Sequence, residues 1–327
     1  MKTQCPMNEL IFDEHSLTRL DTAADGRFKA GMNGIKNIYA TNDKKVQFIQ
    51  YDDANIIAYV QSQMGYPAMY PLLPVKIEKP IKAILMDLDG TSVKSEEFWI
   101  WIIERTIAKL LSNPHFQLEQ SDLPHVSGHS VSEHLKYCTQ KYCPEKNVEQ
   151  AREYYFDITR HEMRAILDGT GKTNAFKPVD GLKDFLYTLK NHKIKIGLVT
   201  SGLYEKAWPE IVAAFKELKM DDPNEFYDAI ITAGFAIRKG QVGTLGELEP
   251  KPHPWLYAET ARVGLGIDFS QRSHIIGIED SGAGVVSIRL AGFAALGISD
   301  GNIEQSGTLG LCSGFCTNLE EVLDIVL

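Results

Sequence analysis

Short runs of apolar residues alternate with longer amphipathic stretches over the C-terminal three quarters of the chain. The first run, residues 82–87, is too short for an ordinary helix and is predicted to be a buried strand. Later runs of the same character predict four more strands, at residues 195–200, 227–233, 274–280 and 293–298. Because strands that alternate with helices form a parallel sheet covered on both faces, the pattern predicts an α/β fold with a doubly wound parallel sheet.

Helical patterns fill most of residues 96–177, between the first and second predicted strands. Residues 98–111 are long enough for a helix and apolar on most of their surface, and residues 131–142 and 147–167 predict two more helices. Amphipathic stretches between the later strands predict the other helices, within residues 177–192, 205–218, 254–265 and 283–291. The pattern therefore predicts a helical domain, residues 96–177, inserted into a core made of residues 81–95 and 178–327.

Residues 1–80 have a different pattern and are predicted to form an N-terminal α+β extension. A turn-rich piece at residues 25–34 precedes an alternating piece at 45–53 that is typical of a strand. The proline-rich residues 66–80 resemble a connector. The pattern gives this extension no specific role, and it is interpreted as a packing appendage or as a contact for oligomerisation.

Composition narrows the classes of function. The 327 residues are 44% apolar and 24% charged, which is ordinary for a globular protein. The formal net charge of −9 argues against nucleic acid as a partner, because such surfaces need a basic patch. A small phosphorylated metabolite remains compatible, since the local potential matters more than the net charge.

The N-terminal residues contain no apolar segment of a secretory signal and turn acidic early. No stretch approaches the roughly 18 to 20 apolar residues of a membrane span, so the sequence predicts no membrane partner. The five cysteines are an odd number in a long chain and favour reduced thiols. A cytoplasmic location is the expectation.

Polar residues collect where the predicted strands end. In parallel sheets ligands bind beyond the carboxyl ends of the strands, so residues at these positions are expected to meet at one edge. A lysine that precedes the helix leading into the fourth strand belongs with them. The candidate site residues are Asp87 and Asp89, Thr200 and Ser201, Lys251, and Glu279 and Asp280.

These residue types suit the transfer of a phosphoryl group. The carboxylates of Asp87 and Asp280, with a backbone carbonyl, are hard oxygen ligands of the kind that Mg²⁺ prefers. Lys251 offers a cation and Thr200 a hydroxyl group for phosphate oxygens. The chain has no GxxxxGK(S/T) P-loop. A carboxylate nucleophile is therefore predicted: Asp87 attacks phosphorus, and Asp89 acts as general acid and base.

Four short motifs resemble, in order, the signature motifs of the haloacid dehalogenase (HAD) superfamily: DLDGT (87–91), LVTSG (198–202), KPHP (251–254) and IEDSGAG (278–284). The resemblance covers about residues 80–327 and implies a Rossmann-like core with a cap domain at 96–177. It implies Asp87 as nucleophile and Asp89 as acid and base, with Thr200, Ser201 and Lys251 at the phosphoryl group. It also implies Mg²⁺ on Asp87, the Asp89 carbonyl and Asp280, with Glu279 as a ligand or as a partner of the ligands.

The helical insert resembles the C1 cap of the β-phosphoglucomutase and phosphoglycolate phosphatase branch. Dehalogenases of the superfamily lack the second aspartate, so the presence of Asp89 argues against dehalogenation. β-Phosphoglucomutases carry an arginine and a lysine where this chain has Val131 and Leu203, which favours a phosphatase. Cap residues His129 and Ser130 are equally consistent with a substrate contact and with a solvated loop.

The sequence thus predicts a Mg²⁺-dependent phosphatase that hydrolyses a small phosphomonoester through an aspartyl phosphate. A phosphomutase of the β-phosphoglucomutase type is the nearest alternative, because it needs the same core. The alternative from another class is a non-catalytic binding protein in which residues 1–80 dock a partner.

Overall fold

The computed structural model describes residues 13–61, 67–126, 131–172, 174–233 and 249–327. The cap residues His129 and Ser130 lie outside these ranges, as do residues 234–248. Within the described ranges no helix is long and apolar enough to cross a lipid bilayer.

The elements of the described residues follow in chain order. The strands are β1 (Thr18–Leu20), β2 (Ile35–Ala40), β3 (Val46–Tyr51), β4 (Ile56–Val60), β5 (Ala68–Pro71), β6 (Ala83–Asp87), β7 (Val93–Lys94), β8 (Lys177–Pro178), β9 (Lys195–Val199), β10 (Ala229–Ile231), β11 (Ile275–Glu279), β12 (Ala294–Ile298) and β13 (Gly314–Cys316). The α-helices are α1 (Glu96–Leu111), α2 (Leu123–Val126), α3 (Val131–Tyr142), α4 (Val148–Leu167), α5 (Leu182–Asn191), α6 (Tyr204–Glu217), α7 (Pro223–Phe226), α8 (Trp255–Glu259), α9 (Gly282–Leu290) and α10 (Leu319–Val326). Single 3-10 turns and a π-helical turn that continues α8 cover Glu14–Ser16, Gln120–Asp122, Thr260–Gly264, Phe269–His274 and Leu309–Leu311.

The central sheet has six parallel strands in the order β10-β9-β6-β11-β12-β13. All five strands predicted from apolar runs are present in it, and every residue of β6, β11 and β12 is buried. The prediction of a doubly wound parallel sheet is therefore confirmed. The strand order reverses between β6 and β11, and ligands of such sheets bind in the crevice at this reversal.

By contacts the chain divides into two compact units. One unit comprises the residues up to 92 together with 179–203 and 224–327, and the other comprises 93–178 and 204–223. The first unit therefore contains both the extension and the parallel sheet, whereas α6 groups with the helices of the insert. The division of the chain into an extension, a core and a cap domain stays a prediction.

Inside the second unit, α1 packs against α4, and α4 packs against α6. The buried side chains of α1 recur at helical spacing, from Phe98 through Ile102, Ile103 and Ile107 to Leu110. The chain enters and leaves the insert side by side, because β7 pairs with β8 in a short antiparallel ladder. The helices predicted at residues 98–111, 131–142 and 147–167 are all present.

One buried carboxylate of this unit, Asp122, is the acceptor of several hydrogen bonds. The fully buried side chain of Asp122 accepts hydrogen bonds from Lys141 Nζ at 2.6 Å, from the Tyr137 hydroxyl at 2.7 Å, from the Tyr142 hydroxyl and from the Glu119 backbone N–H at 2.9 Å. Burial alone would raise the pKa of Asp122, but the hydrogen bonds outweigh it and lower the pKa to about 2.

We expect Asp122→Asn to lower the free energy of unfolding of this unit by about 2 kcal/mol at pH 7. The pKa of the carboxyl is lower in the folded than in the unfolded chain, so its contribution is complete above about pH 4 and is lost as the pH falls towards 2. Urea unfolding at several pH values measures this, and the two proteins should converge in acid. Asp157→Asn, at an exposed ion pair with Arg160, is the matched control and should change little. Equal stability of the Asp122 variant and the wild type at pH 7 would contradict the assignment.

The extension is a five-stranded antiparallel sheet in the order β1-β2-β3-β4-β5. The prediction of α+β structure needs correction for its described part, which contains one 3-10 turn and no α-helix. The proline-rich residues 66–80 are also more than a connector, since they contain β5. Pro71 is tolerated there because β5 is an edge strand, where one row of N–H groups has no partner strand.

One face of the extension sheet is part of the core of the first unit. Alternate residues of β3, Val46 and Phe48, share a hydrophobic cluster with Tyr257 of α8 and Val286 of α9. Ile49, which points to the other face, belongs to a separate small cluster inside the extension. Of the two interpretations of residues 1–80, the structure therefore shows packing against the core, whereas oligomerisation through the extension stays a prediction.

Candidate active site

Three carboxylates lie together at the reversal point of the parallel sheet. Asp87 is the last residue of β6, Glu279 is the last residue of β11, and Asp280 follows it. The two strands are hydrogen-bonded neighbours in parallel register, which brings their ends to the same edge. One carboxylate oxygen from each of the three residues lies within 4.8 Å of the others. The sequence-predicted convergence of distant acidic residues is therefore present in the structure.

Lys251 is the cation within this group. Its Nζ contacts Asp87 Oδ1 and lies 2.6 Å from Glu279 Oε1, and its side chain is only 7% exposed. Burial by itself would lower the pKa of Lys251, but the two carboxylates outweigh it and hold the pKa above its ordinary value. The ammonium group therefore stays charged at any pH at which the protein would work.

Both carboxylate oxygens of the fully buried Glu279 side chain accept hydrogen bonds from protein groups. Oε1 accepts from Lys251 Nζ and from the Tyr257 hydroxyl at 2.9 Å, and Oε2 accepts from the N–H and the hydroxyl of Ser281 at 3.0 and 2.9 Å. A Cβ at Gly284 would lie 1.7 Å from Oε1, so α9 starts directly against this carboxylate. In this arrangement Glu279 holds Lys251 in place, and its role as a metal ligand stays a prediction.

Burial and the neighbouring carboxylates raise the pKa values of Asp87 and Asp280. Burial, followed by the charge of Glu279, raises the pKa of Asp87 well above its ordinary value, although Lys251 opposes the rise. The same two causes raise the pKa of Asp280 to about 7. A divalent cation between Asp87 and Asp280 would relieve both penalties, and carboxylate and carbonyl oxygens are the ligands that Mg²⁺ prefers. The carboxylates of Asp87 and Asp280 therefore fit a divalent cation such as Mg²⁺, and the Asp89 carbonyl as a third ligand stays a prediction.

The turn after β6 brings the backbone onto Asp280. Gly90 has φ +86°, and a Cβ there would lie 2.1 Å from Asp280 Oδ2, so both conformation and space favour glycine at this position. The Thr91 hydroxyl donates to Asp280 Oδ1 at 3.3 Å, and the Ser92 hydroxyl donates to the Asp87 carbonyl at 2.6 Å. Sequence reasoning missed these two hydroxyls, although Thr91 lies within the motif that begins at Asp87.

Thr200 and Ser201 follow β9, the neighbour of β6 on the other side. Thr200 is buried, and its hydroxyl oxygen accepts from the Gly202 N–H at 2.9 Å. The Ser201 hydroxyl accepts from the backbone N–H of Lys251 at 3.1 Å. Ser201 thus holds the segment that carries Lys251, and the phosphate-binding roles of Thr200, Ser201 and Lys251 stay predictions, as does the acid–base role of Asp89.

Tyr257 is a further member of the site that sequence reasoning missed. Its buried hydroxyl donates to Glu279, and burial followed by the charge of Glu279 raises its pKa well above the ordinary value. Tyr257 therefore stays protonated and remains a donor to Glu279. The sequence places this residue only on a helix after Lys251, which gives no sign that it reaches the carboxylate.

A family model described as haloacid dehalogenase-like hydrolase matches residues 84–298. This match spans the ends of both β6 and β11 and every candidate site residue. A comparison with curated proteins finds no match.

Solved structures share the fold. A protein described as a predicted phosphoglycolate phosphatase from Haemophilus somnus has a TM-score of 0.57 and 17% identity over 76% of this chain and 99% of its own. CbbY from Rhodobacter sphaeroides, in complex with phosphate, has a TM-score of 0.53 and 17% identity over 74% of this chain and 96% of its own. A mutant of the same protein with xylulose-(1,5)bisphosphate has a TM-score of 0.52 at the same identity and coverage. At these identities the likeness concerns the fold.

Proposed function

Because this chain is an enzyme that belongs to the haloacid dehalogenase-like hydrolase family, we propose that it is a Mg²⁺-dependent phosphatase. It would hydrolyse a small phosphomonoester through an aspartyl phosphate at Asp87. The observation that carries the proposal is the group at the reversal point of the sheet. There a buried aspartate contacts a buried lysine, and two further carboxylates have oxygens within 4.8 Å.

In the first step a carboxylate oxygen of Asp87 attacks phosphorus in line with the leaving oxygen. The phosphorus–oxygen bond to the leaving group breaks, and Asp89 gives its proton to that oxygen. In the second step water attacks the phosphorus of the aspartyl phosphate and passes a proton to Asp89. The bond to Asp87 breaks, inorganic phosphate leaves, and both aspartates return to their starting states.

The other residues act on charge and orientation. Lys251, already in contact with Asp87, is placed to balance the negative charge on the phosphoryl oxygens, and Thr200, which follows β9, offers a hydroxyl donor. Glu279, Tyr257 and Ser201 keep Lys251 in place. Bound Mg²⁺ would supply a Lewis acid that neutralises charge on a non-bridging phosphoryl oxygen.

The substrate class is a small phosphorylated metabolite. The solved CbbY structures contain phosphate and xylulose-(1,5)bisphosphate, so sugar phosphates and bisphosphates belong among the first compounds to test. Val131 and Leu203, at positions where β-phosphoglucomutases carry an arginine and a lysine, favour water over a second sugar hydroxyl as the acceptor.

We expect phosphate release from at least one member of a broad panel of phosphorylated metabolites, with activity lost in EDTA and restored by added Mg²⁺. A colorimetric assay of inorganic phosphate measures the activity. A phosphorylated isomer in place of free phosphate would identify a phosphomutase. Mg²⁺ binding without turnover of any compound would support the non-catalytic alternative and contradict the proposal.

A further inference from the structure

The side chain of Tyr70 links the N-terminal sheet to residues 251–254, the segment that carries Lys251. Tyr70 lies on the edge strand β5, and its hydroxyl is 2.8 Å from Nδ1 of His253, two residues after Lys251. The two rings meet edge to face with centroids 5.8 Å apart, and Trp255 makes a similar contact with Tyr70 at 6.0 Å. Tyr70 itself packs against the cluster that joins the extension to the core.

His253 ties this segment to α9 of the core. Its side chain is buried, and its backbone carbonyl accepts a hydrogen bond from the Ser287 hydroxyl of α9 at 2.6 Å. The neighbouring residues 252 and 254 are prolines, which have no N–H group to donate. The two prolines therefore leave the segment with few backbone N–H donors. The contacts of His253 contribute correspondingly more to fixing its position.

The imidazole is set up to accept from Tyr70. Burial lowers the pKa of His253, against the opposing charge of Glu249, so the ring is neutral near pH 7. Its Nε2 lies 3.8 Å from a carboxylate oxygen of Glu249, which favours the proton on Nε2. Nδ1 then accepts from the Tyr70 hydroxyl.

We propose that Tyr70 is a positioning residue for Lys251, and that the N-terminal sheet acts through the Tyr70–His253 hydrogen bond as a working part of the active site. Tyr70 fixes His253, His253 fixes the segment between the two prolines, and the segment aims the Lys251 ammonium at Asp87. The inference rests on the proposed phosphatase function, in which Lys251 balances the charge of the transferred group. It gives the extension a role in catalysis beyond packing.

Tyr70→Phe tests this, because it removes one hydroxyl and keeps the ring contacts. We expect kcat/KM for the best substrate to fall by roughly tenfold, mostly through kcat, since small displacements of a charge-balancing group act on the transition state. Tyr59→Phe is the matched control: Tyr59 is a buried tyrosine of the same sheet whose hydroxyl bonds to Asp25 inside the extension. The control should keep wild-type kcat/KM, and the two variants should have similar melting temperatures.

A double variant separates positioning from a general loss of structure. In the Lys251→Ala background, where there is no ammonium group left to aim, Tyr70→Phe should lower kcat/KM by less than twofold further. A full tenfold effect in that background would overturn the inference, because the hydroxyl would then act by another route. Equal kcat/KM for Tyr70→Phe and Tyr59→Phe in the otherwise wild-type chain would overturn it as well.

A second readout needs no substrate. The backbone N–H groups of Lys251 and His253 bond to Ser201 and to the Pro250 carbonyl, so their hydrogen exchange reports how firmly the segment is held. We expect faster exchange of these two amides in Tyr70→Phe than in Tyr59→Phe. Unchanged exchange would overturn the inference even if the wild type proves to be a phosphatase. Absence of turnover in the wild type, with faster exchange in Tyr70→Phe, would instead defeat the proposed function and leave the structural link standing.

Discussion

Asp87→Asn is expected to lower kcat by about 10⁴-fold or more, in the range found when the nucleophile of a covalent mechanism is removed. The amide has nearly the shape of the carboxylate but cannot form the aspartyl phosphate. The measurement is the rate of phosphate release at saturating substrate and Mg²⁺. Asp221→Asn, at an exposed aspartate, is the matched control and should keep full activity.

The same variant should fold normally, and its stability gives a check on the electrostatics. Burial and neighbouring carboxylates raise the pKa of Asp87, so its ionised form opposes folding in the metal-free protein. This penalty is absent below the ordinary pKa of an aspartate. It grows as the pH rises from that value towards the raised pKa of Asp87 in the folded protein. We therefore expect metal-free Asp87→Asn to melt no lower than the wild type at pH 8. A variant that melts as high as the wild type yet retains activity would contradict Asp87 as the nucleophile.

Lys251→Met is expected to lower both the activity and the stability of the protein, whereas Asp87→Asn is expected to lower only the activity. Two buried carboxylates, Asp87 and Glu279, lose the ammonium group that contacts them, and removing one partner of a buried ion pair costs about 3–5 kcal/mol. Activity should fall by about 10²–10³-fold, because a charge-balancing donor at the phosphoryl group is lost. Thermal melting and phosphate release measure the two effects.

Two comparison variants make the Lys251 prediction specific. Lys251→Arg keeps the charge and should retain more of the stability than Lys251→Met, although the fork-shaped guanidinium should not restore full activity. Lys216→Met, at an exposed lysine of α6, should leave both quantities unchanged. Wild-type stability of Lys251→Met would show that the carboxylates are not held by this lysine.

The parallel sheet could be predicted from the sequence because strands buried on both faces are almost continuously apolar. β6, β11 and β12, in which every residue is buried, gave the clearest runs. β13 was not predicted, because Gly314–Cys316 is three residues long and has no pattern to detect. In the extension β5 was not predicted, because the prolines at residues 67 and 71 argue against a strand. An edge strand tolerates proline, and β5 lies at the edge of its sheet.

The candidate site was predictable where residues sit at strand ends, since the register of the sheet then determines which of them meet. Asp87, Glu279 and Asp280 were found in this way. Tyr257 and Tyr70 were not, because their contacts depend on how a helix and a separate sheet pack on the core. Ser201 shows the same limit, because its hydroxyl holds the Lys251 backbone, a contact that no local pattern indicates.

In the proposed mechanism the phosphoryl group passes through Asp87 in two in-line displacements. The stereochemical course at phosphorus tests it most directly, with the best substrate prepared in one chiral form by isotopic or sulfur substitution of its phosphoryl oxygens. Two displacements invert the configuration twice, so we expect net retention, whether or not the aspartyl phosphate accumulates. Net inversion would show a single direct attack by water and would contradict a covalent role for Asp87.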